Sequence, residues 1–184
     1  MKRVITLLIC MVFAFSATSC DLLDLLDLSE FQTTSKVIFN GVDRKGNFIT
    51  EDIFSQYDVT MINFWEPWCR PCVSEMPAIE MLYENYSAKG LLVIGVYSDD
   101  SMEDQVDAIL FNSHTSYPIM KKVEFLDQYR TGSVPTTIFV DKEGNLMDVS
   151  FVQGCQDRVH IVGSREYGDW ASIVNRLLPS KTGG

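Results

Sequence analysis

The sequence predicts an α/β domain in which a mixed central β-sheet is flanked by helices and preceded by an N-terminal β-hairpin extension. Three observations carry this. Residues 59–65 (Val-Thr-Met-Ile-Asn-Phe-Trp) and 91–97 (Leu-Leu-Val-Ile-Gly-Val-Tyr) are near-continuous apolar runs rich in β-branched and aromatic residues, as strands buried on both faces should be. Between them, residues 69–86 place apolar side chains at helical spacing, which completes a β-α-β unit and implies a parallel strand pair. Later, apolar residues 135–140 and 146–152 flank Asp141-Lys142-Glu143-Gly144-Asn145, a hairpin turn that adds antiparallel strands.

The remaining elements follow in order. Val37, Ile38 and Phe39 are β-like, and the turn-rich Asp43-Arg44-Lys45-Gly46-Asn47 leads into Phe48 and Ile49, with Gly46-Asn47 as the hairpin signal. Residues 51–57 suffice for one or two helical turns. In residues 69–86, Met76, Ile79, Glu80, Leu82 and Tyr83 alternate apolar and polar faces, and Lys89-Gly90 closes the helix. Residues 102–112 read as a helix with Val106, Ile109, Leu110 and Phe111 inward. Residues 125–129 read as a short helix, and residues 170–178 as a last one stopped by Pro179. Phe64 and Trp170 are core candidates.

With 184 residues there is room for one ordinary domain, placed at residues 36–180. A composition of 46% hydrophobic and 22% charged residues is that of a globular chain and argues against disorder. The net charge of −10 and the lack of any basic stripe exclude a nucleic-acid partner.

The first residues are set apart from the fold. Lys2 and Arg3 precede an apolar run over residues 4–15, too short for a permanent span and suited to a signal-peptide core. Small residues 16–19 lead to Cys20, and Ser19-Cys20 resembles a bacterial lipobox, with Ala17 where such boxes usually carry Leu. Residues 1–19 are thus expected to be a lipoprotein-type signal peptide, Cys20 a lipidation site that holds the chain to a membrane, and residues 20–35 a tether. That tether repeats one acid and two leucines from Asp21 to Leu28. Cys10 leaves with the signal, so the domain keeps Cys69, Cys72 and Cys155: one pair and one further thiol.

Trp65-Glu66-Pro67-Trp68-Cys69-Arg70-Pro71-Cys72 lies between a buried strand and a helix. A cysteine at a helix start faces unpaired N–H groups and the positive end of the macrodipole, both of which favour thiolate. Arg70 adds positive charge, and Pro71 suits a first helical turn because its missing N–H has no partner to lose. Cys72, one turn on, is close enough for a disulfide, so one cysteine can attack and the other resolve. The competing chemistries have less behind them. Zinc wants about four ligands, and only this pair with Cys155, His114 and His160 is on offer. Covalent haem wants His where Val73 stands. A purely structural disulfide across so short a loop stabilises little. No metal or cofactor is expected beyond the redox-active pair, and His114 receives no role.

Together with Asn63-Phe64-Trp65, Glu75-Met76-Pro77 and Val134-Pro135-Thr136-Thr137-Ile138-Phe139-Val140-Asp141, that motif makes residues 36–178 resemble a thioredoxin-fold protein of the TlpA/ResA-like envelope group. The resemblance implies the thioredoxin fold, with Cys69 as attacking thiolate and Cys72 as resolving thiol. It implies a cis-proline at Pro135 that leaves the Val134 backbone free to pair with an extended client segment. It places Pro77 in the active-site helix and Glu75 near the thiols as a modulator of proton transfer, with Asn63 where cytoplasmic thioredoxins carry a buried Asp. Trp68 is expected to shape an apolar docking surface. Thr136 departs from the Glu that the cytochrome-maturation branch tends to carry, which weakens an assignment to haem-protein maturation. Cys155 falls where the family's loop borders the substrate groove, and an inert thiol is favoured there over one that takes part in exchange. The implied function is that of a monomeric thiol-disulfide oxidoreductase of the bacterial cell envelope. It would reduce disulfides of exported clients, apocytochrome c being one such client by resemblance, with electrons from a membrane partner. An oxidase or isomerase of the same fold, and a non-catalytic binding lipoprotein, are the alternatives.

Overall fold

A computed structural model of the chain describes residues 36–180, so the expectations for the signal segment, Cys20 and the tether lie outside the described residues. Two turns share one chemistry, Asp-x-x-Gly-Asn, at residues 43–47 and 141–145. Asp43 Oδ1 accepts from the backbone N–H of Lys45 (2.9 Å) and Asn47 (2.8 Å), while the Asn47 amide donates to Oδ2 (2.9 Å). Asp141 repeats the arrangement with Glu143 (3.0 Å) and Asn145 (2.8 and 3.1 Å). Gly46 and Gly144 both sit at φ 86°, a conformation that a side chain would strain. The first turn joins β1 (Asn40–Val42) to β2 (Phe48–Thr50), and the second follows β6 (Thr136–Asp141).

The central sheet has the order β5-β4-β3-β6-β7, with β3 at Val59–Phe64, β4 at Leu91–Tyr97, β5 at Ile119–Lys121 and β7 at Ile161–Val162. β3, β4 and β5 run parallel, and β6 and β7 are antiparallel to their neighbours. Because side chains alternate along a strand, β3 sends Met61 to one face and Ile62 to the other, and both are fully buried. On the Met61 face the cover comes from α1 (Arg70–Tyr86), α3 (Tyr167–Leu177) and Val106 of α2 (Glu103–Asn112). On the Ile62 face it comes from Val37, Phe39 and Ile49 of the N-terminal hairpin region, Phe54, and Leu126 and Tyr129 of a 3₁₀ turn at Glu124–Tyr129. The N-terminal extension is therefore part of the layer that covers the sheet's second face. Arg44 fixes it further, its backbone N–H donating to Ile119 O (2.9 Å) and its guanidinium pairing with Glu103 and Asp107 of α2. Phe64 and Trp170 are fully buried, as expected. Among the described residues no helix is long and apolar enough to cross a membrane.

Three expectations are corrected. Residues 146–152 do not form a strand. After one bridge, Leu146 to Val140, the chain turns where Asp148 accepts from the Ser150 N–H (2.8 Å) and pairs with Arg158, and β7 supplies the edge strand. The β1 strand lies at residues 40–42, beyond Val37, Ile38 and Phe39. Phe111 points to solvent at 78% exposure, and of the four residues expected inward on α2 only Val106 is buried.

Gly95, in β4 opposite Asn63, has no room for a side chain: a Cβ there would lie 2.6 Å from Ile119 Cδ1 and 3.3 Å from Trp65 Nε1. Gly95→Ala is expected to destabilise the fold by about 1–3 kcal/mol through overpacking. Urea unfolding checks this, and an unchanged midpoint would refute it.

Candidate active site

The loop from Phe64 to Arg70 carries Cys69 from the end of a central strand to the start of α1. Cys69 is the helix N-cap, and its sulfur accepts the Cys72 backbone N–H at 3.3 Å. The Cys69 N–H donates to Glu66 O (3.0 Å), which tightens the loop. Cys69 and Cys72 form a disulfide with Cα atoms 5.2 Å apart. Pro71 sits in the first helical turn and Pro77 lies inside the helix. Cys69 is only 4% exposed and Cys72 1%, so the outer sulfur presents a narrow face to solvent. On reduction, the Cys72 N–H and the helix N-terminus remain aimed at Cys69, an arrangement that favours thiolate there.

The Val134–Pro135 peptide bond is cis, and the Val134 carbonyl oxygen lies 3.7 Å from Cys69 Sγ. Pro135 O accepts the Gly163 N–H (2.9 Å), which ties the loop to the end of β7. Trp68, beside the pair, is 54% exposed, and its indole N–H donates to Asp99 Oδ2 (2.7 Å). With Pro67, Val73, Met102 and Ile109 it lines an apolar groove of about 470 Å³. Trp65, by contrast, is buried against Tyr97 at 5.3 Å.

Glu75 lies one turn after Cys72 on the buried face of α1, 3% exposed. Its Oε1 accepts from the Asn63 amide (3.2 Å) and its Oε2 from the Arg165 backbone N–H (3.1 Å). Asn63 also donates to Thr137 Oγ1 (3.0 Å), so strand β3 and the segment before α3 hold the carboxyl while strand β6 fixes the Asn63 amide. Burial pushes its pKa up to about 7, against the opposing pull of the Arg165 N–H and the Asn63 amide. A cleft of about 140 Å³, lined by Glu75, Ser74, Ser164, Arg165, Glu166 and Asp169, reaches it from outside.

Cys155 is half-buried, and its thiol donates to the carbonyl oxygens of Asp157 and His160. Burial, first among the causes, holds its pKa above the ordinary thiol value. Both features suppress thiolate and fit an inert residue. Two site-adjacent charges escape a reading of the motif alone: Glu66 within it, and Arg165, whose guanidinium bridges the carbonyls of Gly163 (3.0 Å) and Gln153 (3.1 Å).

Comparison with known proteins agrees with this geometry. Residues 29–149 match the model of the AhpC/TSA family. The chain is 38% identical over 96 residues to the thiol-disulfide oxidoreductase ResA of Oceanobacillus iheyensis, covering 51% of this chain and 48% of that protein. It is 33% identical over 91 residues to the thioredoxin-like protein YneN of Bacillus subtilis, covering 48% and 54%. The chain thus spans about half the length of the curated relatives it matches. Among solved structures, a thiol:disulfide interchange protein of the thioredoxin family from Chlorobium tepidum superposes with a TM-score of 0.63 at 22% identity, covering 78% of this chain and 95% of that one. At that identity the likeness is one of fold. The fold is the thioredoxin fold, and the chain belongs to the AhpC/TSA family, with ResA-type proteins among its relatives.

Proposed function

We propose that this protein is an extracytoplasmic thiol-disulfide oxidoreductase that reduces disulfides of exported proteins by dithiol exchange through Cys69 and Cys72. The observation that carries the reading is the cysteine pair itself, bonded at a helix N-terminus beside the Val134–Pro135 segment. In the reduced protein, Cys69 thiolate attacks one sulfur of a client disulfide. A mixed disulfide forms and the client's other sulfur leaves as thiolate. Cys72 then loses its proton, with Glu75 as the acceptor, and attacks Cys69 Sγ, which releases the second client thiolate and closes the Cys69–Cys72 bond. Two electrons pass to the client, and a membrane partner supplies two more, which reopen the Cys69–Cys72 bond. Trp68 and the apolar groove beside it receive the client segment, and the Val134 backbone pairs with it. Anchoring through lipidated Cys20 would keep the exchange at the membrane surface.

The test is reduction of insulin disulfides by the purified chain with dithiothreitol as electron source. Wild-type protein is expected to accelerate precipitation of the insulin B chain, and Cys69→Ser to return the rate to that of dithiothreitol alone. Retained activity in Cys69→Ser would remove the proposal. The equilibrium reduction potential of the pair then sets direction: a strongly reducing value agrees with a reductase, an oxidising one with an oxidase or isomerase.

A further inference from the structure

We propose that Glu66 is a positioning residue whose buried carboxylate braces three loops at the cysteine pair and so holds Trp68 and the Val134–Pro135 segment in place for a client. This rests on the oxidoreductase reading above. Glu66 is 4% exposed although it stands in a loop, between two tryptophans and three residues before Cys69. Every group that faces its carboxylate is a donor. From the loop after β4 come the Ser98 N–H (3.1 Å), the Ser98 hydroxyl (2.7 Å) and the Asp99 N–H (2.9 Å). From the segment before β6 comes Arg130 Nη1 (3.0 Å), whose guanidinium also lies over the Phe64 ring at 5.2 Å.

Each contact leads to a part that would touch the client. Asp99, fixed through its N–H, accepts the Trp68 indole N–H at 2.7 Å, so the largest exposed side chain beside Cys69 is held at second hand by Glu66. Arg130 opens the stretch that leads to Pro135, which is closed by Thr131 Oγ1 bonding Thr136 Oγ1 (2.9 Å), the latter donating to Ser133 O (2.6 Å). A carboxylate is the one common side chain that accepts from four donors without offering one back. An amide in its place turns an NH₂ toward one of them, and leaves the Arg130 cation, 18% exposed, without its closest counter-charge.

The test is Glu66→Gln in ¹⁵N-labelled protein, with the Trp68 indole resonance identified by Trp68→Phe, alongside insulin-reduction kinetics. The Trp68 resonance is expected to move and its exchange with water to quicken. KM for the client should rise about fivefold with kcat changed less than twofold, as expected for loss of one net hydrogen bond in docking. Asp99→Ala, which cuts the link to Trp68 along with the Asp99 Oδ1 bond to the Ser101 N–H (2.7 Å), should reproduce both changes, and the double variant should add little to either. A purely structural Glu66 would lower the unfolding midpoint and leave the Trp68 resonance and KM where they were, and that result overturns the proposal. If Glu66→Gln does not fold, Glu66→Ala with Arg130→Met removes both buried charges and leaves unpaired only Asp127, the other Arg130 partner (3.1 Å), which is exposed to water. The same two readouts then decide. The indole resonance does not depend on turnover, so a protein that reduces no insulin refutes the function while the brace is still tested. An active protein with an unmoved KM refutes the brace alone.

Discussion

With Cys72 replaced by serine, the protein is expected to stop turning over and to accumulate client on Cys69 as a mixed disulfide. The two sulfurs do different work. Cys69 is the outer one, at the helix N-cap, and the Cys72 N–H that would stabilise its thiolate belongs to the backbone and survives the substitution. The attack therefore still proceeds. Resolution does not, because it needs a second sulfur within a turn of Cys69, and Cys72 is held there 1% exposed, where no solvent thiol replaces it readily. Incubation of reduced Cys72→Ser with a disulfide-bearing peptide should give one equivalent of adduct by intact mass, while Cys69→Ser gives none and insulin turnover falls to background in both. Carrying out the experiment in a Cys155→Ser background removes the third thiol as a source of adduct. Normal turnover by Cys72→Ser, or an adduct that disappears with Cys155, would sink the assignment of roles.

What sequence reading reached, and what it did not, follows the range of the interactions. The cysteine motif, the buried strands and the two Asp-x-x-Gly-Asn turns are local chemistry: each turn closes within five residues on its own aspartate, and each is visible as a string. Residues 146–152 are apolar enough for a strand, but Asp148 finds Ser150 and Arg158 and turns the chain, and the edge strand is a two-residue piece too short for any periodicity. Helical spacing points Phe111 inward with Val106, Ile109 and Leu110, yet α2 turns only the latter three toward the core, Val106 buried and Ile109 and Leu110 half-buried, and Phe111 faces solvent. Glu66 reads as a surface charge because its partners stand 32 and 64 residues away, and Glu75 is buried by an N–H from 90 residues on. A helical Glu at the right offset from a cysteine is legible in sequence. Its burial depends on the segment before α3, which nothing local announces.

Glu75→Gln is expected to flatten both the stability and the thiol chemistry of the protein across neutral pH. Burial raises the Glu75 pKa to about 7 from its ordinary 4.5, with the Arg165 N–H and the Asn63 amide pulling the other way. The groups facing it are Asn63 from β3, Arg165 from the segment before α3, the Trp170 indole of α3, and Tyr117, whose own ionisation is raised by burial first and by Glu75 next. Between pH 4.5 and 7 the folded chain holds a proton there that the unfolded chain has lost, so the contribution of Glu75 to stability is fully present below 4.5 and falls as pH rises through that window. The gap from 4.5 to about 7 corresponds to about 3 kcal/mol, present in the wild type and absent from the glutamine variant. Urea titrations of the oxidised proteins from pH 4 to 8 should show the difference between them growing by that order, and parallel curves would refute the burial argument. In the reduced protein a carboxyl that titrates near 7 is matched to taking the proton of Cys72, one turn away on the same buried face. Alkylation of Cys72 should therefore lose a step near pH 7 in Glu75→Gln, and client reduction should slow by about tenfold at neutral pH, less than the roughly hundredfold or more usual for a general base because a thiol also gives its proton to water. An unchanged alkylation profile would leave Glu75 as a buried acceptor for Asn63 and Arg165 and nothing more.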